Sequence, residues 1–112
     1  MDLVTHVHDT LKPVEHPATH LVRPKKFPGI SYHFFNQGPS LYGDGKPRRM
    51  ESNCQVDIWT TDGNYQSIAT KVIKLMSDAK FRYLREEEDI EINTGLYQKP
   101  LIFYIEYGAE DR

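Results

Sequence analysis

The run QGPSLYGDGKPRRMESNCQVDIWT, Gln37 to Thr60, holds two textures. From Met50 onward, Met50, Cys54, Val56 and Ile58 fall on one side and Glu51, Asn53, Gln55 and Asp57 on the other, the period-two pattern of a strand buried on one face. The first half, GPSLYGDGKPRR, is glycine-rich and carries Lys46, Arg48 and Arg49. It reads as an exposed connection of roughly a dozen residues, longer than a hairpin requires and so a candidate binding segment.

Alternation also marks Gly29 to Phe35, where Ile30, Tyr32 and Phe34 oppose Ser31, His33 and Phe35. In the last strand Tyr97, Leu101, Phe103, Ile105 and Tyr107 face one way, and Leu96, Ile102 and Tyr104 face the other. A strand apolar on both faces is expected to be sandwiched or pressed against another subunit. Between these strands, Ile68, Ala69, Val72, Leu75, Met76 and Ala79 recur at helical spacing after a turn in which Asp62 is the candidate cap. Leu3, Val4, Val7 and Leu11 predict a short first helix behind Asp2, closed by Pro13. Proline at 17, 24 and 28 confines any strand in residues 18–23 to a sheet edge. KFRYLR reads as a fourth strand and EEEDIEINTG as a polar excursion. The expected fold is α+β: a mainly antiparallel sheet of four to five strands with two helices on one face, in a single domain spanning residues 1–112.

The net charge of −2 among 112 residues supplies no global basic field, so general nucleic-acid affinity is not expected. No run approaches the roughly 20 apolar residues of a membrane span, and MDLVTHVHDT lacks the layout of a signal peptide, so a soluble protein made in the cytoplasm is expected. Gly45-Lys46 is followed by Pro47 and then by a strand, so the phosphate-loop pattern fails in sequence and in context. His6 and His8 diverge on a helix, while His16 and His20 sit in a proline-broken segment with no glutamate between them, so no metal site is expected. Glu86, Glu87, Glu88, Asp89 and Glu91 read as a solvated acidic segment on which nothing converges. Cys54 lies on the apolar side of its strand, where it acts as a small hydrophobe. Trp59, on the polar side near a strand end, is a candidate interface anchor or a lid over the sheet. No catalytic, metal or cofactor residues are assigned.

The ordered patterns LKP, VRPKKFPGISYHFFN, LYGDGK, QVDIWTTDG, SIATKVIKLM and NTGLYQKPLIFYIE make the chain similar, over nearly its whole length, to the tail completion or tail terminator family of long-tailed bacteriophages and prophages. The resemblance implies a non-enzymatic subunit of a hexameric ring at the head-proximal end of the tail. Such a ring halts polymerisation of the tail tube protein and docks onto the head-completion, or stopper, protein. Its location is the virion, and DNA only passes through the lumen. The family supplies no site residue to transfer, so the interface residues are physical inferences: Tyr42, Lys46, Arg48, Arg49, Trp59, Ile102 and Tyr104. Competing readings are another head–tail connector, a small metal-dependent or nuclease-like enzyme using the acidic cluster or the histidines, and a regulatory binding module.

Overall fold

In the computed structural model, which describes residues 2–93 and 95–109, two helices and six strands follow the order α1 (Leu3–Leu11), β1 (Ala18–His20), β2 (Gly29–Gly43), β3 (Lys46–Thr60), α2 (Gln66–Asp78), β4 (Arg82–Glu86), β5 (Ile90–Asn93) and β6 (Leu96–Gly108). The sheet order is β1-β2-β3-β6-β4, with β5 also pairing β6. β4 takes Tyr104 to Leu101 and β5 takes Gln98 to Leu96, so these two short strands share one edge of β6 end to end. Every pairing is antiparallel except β1 with β2, which is parallel, so the sheet is mainly antiparallel as expected, with six strands in place of four to five. A parallel pair needs a crossover, and residues 21–28 supply it.

The alternation reads onto the sheet directly. Cross-strand partners point to the same face, so Ile30 opposite Ile58, Tyr32 opposite Val56, Cys54 opposite Phe103 and Val56 opposite Leu101 build one apolar surface. Val7, Leu11, Ile68, Ala69, Val72, Met76 and Phe81 pack on it. The Asp2 carboxylate caps α1, accepting from the Val4 and Thr5 amides at 3.1 and 3.4 Å, and the Tyr32 hydroxyl donates to the Val4 carbonyl at 3.2 Å, fixing α1 over β2. The cap expected for α2 is different. Asp62 accepts instead from the Asn64 amide at 2.9 Å, a local turn, and Tyr65 occupies the cap position without a side-chain bond. Leu75 is only partly buried against the core.

Two further expectations are corrected. Residues in EEEDIEINTG form β5, because β6 runs far enough past β4 to leave backbone groups that Ile90 to Asn93 pair. The glycine-rich segment is not a long loop either: β2 and β3 run through it and meet at the two-residue turn Asp44-Gly45, with φ of 56° and 74°. Both values are the left-handed pair that a tight hairpin turn matched to strand twist demands, and glycine meets that demand without strain. Among the described residues, no helix is long and apolar enough to cross a membrane.

Candidate functional site

Beyond Arg49, where β6 stops pairing at Gly108, β2 and β3 pair only with each other among the described residues. They project as a two-stranded arm from a molecule 53 Å long and 24 × 21 Å in section. Register shifts between Phe35 and Gly38, Pro39 and Leu41, and Leu41 and Tyr42 interrupt the ladder. Asn36 takes φ of 54° in the first of them. Such bulges bend and twist a ribbon, and with Pro39 and Pro47 they blunt edges that would otherwise recruit strands indiscriminately.

The arm carries four of the sequence-predicted interface residues. Tyr42 is 61% exposed, and Leu41 beside it is also exposed. Lys46 and Arg48 are exposed, with Arg48 3.4 Å from Asp44 across the turn. Arg49, at the base, lies 3.3 Å from Glu106 on β6. Both are surface ion pairs, worth about 0–1 kcal/mol each, so neither commits its arginine strongly to the fold. Leu41 does not stand out in the sequence, because its glycine-rich surroundings resemble a loop, where alternation carries no meaning.

Tyr104, on the face of the sheet away from the helices, is half-buried at the base of this arm. Its hydroxyl donates to Glu51 at 2.9 Å, and the Arg82 guanidinium lies 5.1 Å from its ring centroid. Burial, and then the Glu51 carboxylate, push its pKa up to about 12. A hydrogen bond from Ser40, then the Arg49 guanidinium, hold Glu106 below its ordinary value. Tyr104 thus joins arm base to sheet rather than presenting a free ring.

The remaining two predicted residues are covered by their own chain. Trp59 is 8% exposed, its indole N–H donating to Ser31 Oγ at 2.8 Å under the Arg23 guanidinium, 5.4 Å from the ring centroid. The exposed aromatic strand end expected from the sequence is therefore corrected: the Arg23 guanidinium from the β1–β2 connection lies over Trp59, which is itself covered. Gly29 makes this close cover possible, since a Cβ there would stand 2.5 Å from the Lys26 carbonyl and 2.6 Å from Pro24. Ile102 is 3% exposed, flanked across the sheet by Gln55 and Arg85. A strand apolar on both faces is here closed by long polar neighbours as well as by helices.

On the same face Asp57 is buried beside Ser31, Gln55 and Gln98. Burial raises its pKa, while hydrogen bonds from Gln55 (2.8 Å), Gln98 and Ser31 and the nearby His33 work the other way. Burial also pushes the Cys54 thiol up, which disfavours thiolate chemistry. The acidic segment is tied to the sheet: Lys99 Nζ lies 3.2 Å from Asp89 and 3.6 Å from Glu86, and 4.9 Å from the Tyr65 ring. Burial alone would lower the Lys99 pKa, but the hydrogen bonds to Asp89 and Tyr65 prevail and raise it. The histidines are spread out. His6 stacks on Phe81 and bonds the Ala79 carbonyl, and His20 stacks on Tyr32. Among the described residues, no three His, Cys, Asp or Glu side chains converge as metal ligands. A cleft of about 420 Å³ beside the start of α1 contains Asp2, His20 and Tyr107, but the Asp2 carboxylate is already occupied as the helix cap.

No family model matches the sequence, and no curated protein matches it. Among solved structures, a chain of the virion of a native gene transfer agent (GTA) particle is similar, with a TM-score of 0.59 and 12% sequence identity over 92% of this chain and 92% of that one. At that identity the likeness shows the fold.

Proposed function

We propose that this chain is a structural virion assembly protein of a long-tailed phage or prophage. Its subunits form a ring, hexameric in the family the sequence resembles, at the head-proximal end of the tail. There the ring ends tube polymerisation and joins the tail to the head-completion protein. The observation that carries this reading is the arm: an exposed, bulged ribbon with Leu41, Tyr42 and basic residues, projecting from a fold similar over 92% of its length to that of a virion chain. A two-stranded ribbon is marginal by itself and gains its definition from a partner surface. The tip suits contact with the tube or the stopper, since aromatic and arginine side chains are favoured at interfaces. A tube end presents several sites at once, so subunits bound to it gain effective concentration for one another.

Removing the gene from its phage and imaging the lysate by electron microscopy tests the reading. Filled heads beside unattached tails of abnormal length are the expected result. Tails of normal length attached to heads would overturn it; normal-length tails without heads would move the role to another head–tail connector.

A further inference from the structure

Two carboxylates face each other where the arm leaves the sheet: Glu51 on β3 stands directly opposite Glu106 on β6, one pair inward of Ser52 and two from the last pair, Arg49 with Gly108. Like charges in that position weaken a ladder. Here donors from three strands gather around them on the helix-free face. The Tyr104 hydroxyl donates to Glu51 at 2.9 Å and lies 3.5 Å from one oxygen of Glu106, while Arg49 Nε donates to the other Glu106 oxygen at 3.3 Å. β2 joins the group through its bulges. Pro39 is opposite Met50 and Leu41 opposite Arg49, which leaves Ser40 as the extra residue, and such a residue is where a bulge re-aims a side chain. Ser40 hydrogen-bonds Glu106, which belongs to β6 on the far side of β3. In the preceding bulge Asn36 donates to Asn53 at 3.5 Å, and Asn53 is the cross-strand partner of Tyr104. Each contact is weak at an exposed position. Collected on one carboxylate from β2, β3 and β6, they form a network at the level where β6 ends.

We propose that Glu106 and Tyr104 are positioning residues for the arm: with Glu51, Arg49 and Ser40 they brace it at a fixed angle to the sheet, so that it meets its partner surface already oriented. A two-stranded ribbon with three register shifts would otherwise bend at them. An arm held in one direction loses less freedom when it docks, which favours binding without any added contact. The proposal rests on reading the arm as the docking element, and it identifies the side chains that aim it. The facing carboxylates are then acceptors shared by three strands, and their repulsion is offset by the donors they collect.

The test is residual dipolar couplings on the isotope-labelled full chain, which report the order of the Leu41, Tyr42 and Arg48 amides relative to the core amides of Val56 and Phe103. The wild-type arm is expected near an order parameter of about 0.85, and Glu106→Ala, Tyr104→Phe and Ser40→Ala should each bring it below about 0.6, the rigid and flexible ranges of a backbone. Ser40→Thr keeps the hydroxyl and should keep the arm ordered. Unchanged values at Val56 and Phe103 separate a loosened arm from a weakened fold. A wild-type arm already below about 0.6, an arm still rigid in Glu106→Ala and Tyr104→Phe, equal loss in Ser40→Thr and Ser40→Ala, or core order lost together with the arm's would each overturn the proposal. Glu106→Ala should also lower the share of tails joined to heads in complementation, because its arm is ordered only on docking. Failure here is separable from failure of the ring reading. If gene deletion gives unattached tails while arm order is the same in every variant, the ring stands and the brace is wrong. If arm order behaves as expected while deletion leaves particles intact, the brace stands and the tail role is wrong.

Discussion

The Trp59 indole N–H donates to the Ser31 hydroxyl at 2.8 Å, across the β2–β3 ladder and beneath the segment that links β1 to β2. Ser31 is itself buried, so each polar group satisfies the other where water does not reach. Trp59 is thereby a structural residue first. Trp59→Phe is expected to destabilise the fold by about 1 kcal/mol through the lost hydrogen bond, and Trp59→Ala by about 3–5 kcal/mol through the cavity under residues 21–28. Urea unfolding followed by circular dichroism measures both. A Trp59→Ala protein as stable as the wild type would mean that the segment does not cover the ring in solution, and this outcome separates the structure from the earlier expectation of an exposed anchor.

The arm behaves oppositely. Leu41, Tyr42 and Arg48 are exposed, and Arg48 makes only a surface ion pair, so Tyr42→Ala and Arg48→Glu should change unfolding free energy by less than about 0.5 kcal/mol. In complementation of a gene deletion the same variants should reduce the share of tails attached to heads. Full complementation by Leu41→Ala combined with Tyr42→Ala would remove the arm from the assembly surface.

At the turn, Gly45 has φ of 74° and open space around it, so the cost of a side chain is backbone strain alone. Gly45→Ala should cost about 1 kcal/mol or slightly more, mostly as local opening of the arm. Hydrogen exchange should show faster exchange in Leu41 to Arg48, with the amides of Val56 and Phe103 unchanged. Equal acceleration in the core would mean that the arm and the sheet unfold as one unit.

Asp57 makes a pH-dependent contribution. Its folded-state pKa is raised by burial above the unfolded value, so the fold favours the protonated acid. Stability from that group is fully present below the ordinary carboxylate range and is lost as pH rises through the raised value. Asp57→Asn keeps the shape without the charge. It should raise the melting temperature at neutral pH, and the gain should shrink toward zero near about pH 3.5, where the wild-type carboxyl is neutral. A variant less stable at neutral pH would show that the hydrogen bonds from Gln55, Gln98 and Ser31 outweigh the desolvation.

Local periodicity carried much of the fold. Met50 to Ile58 and Tyr97 to Tyr107 alternate, and Ile68 to Met76 recur every three or four residues, because the faces of a strand or helix are set by its own chain. Asp2 capped the helix that its position announced. These patterns alone determined the α+β class and the core surface under the helices. Asp44-Gly45 between Leu41-Tyr42 and Arg48-Arg49 was a hairpin signal in plain sight, but bulges at Phe35 and Leu41 break the alternation that would have extended the strands into it. Only the tertiary structure decided which apolar extras are exposed. Trp59 and Ile102 look alike in sequence to Tyr42, yet the first is covered by Arg23 and the second by neighbours on β3 and β4, whereas Tyr42 lies beyond the end of the β3–β6 ladder and is exposed. Burial on a second face and the pairing of distant strands depend on segments far away in sequence. No local pattern encodes them.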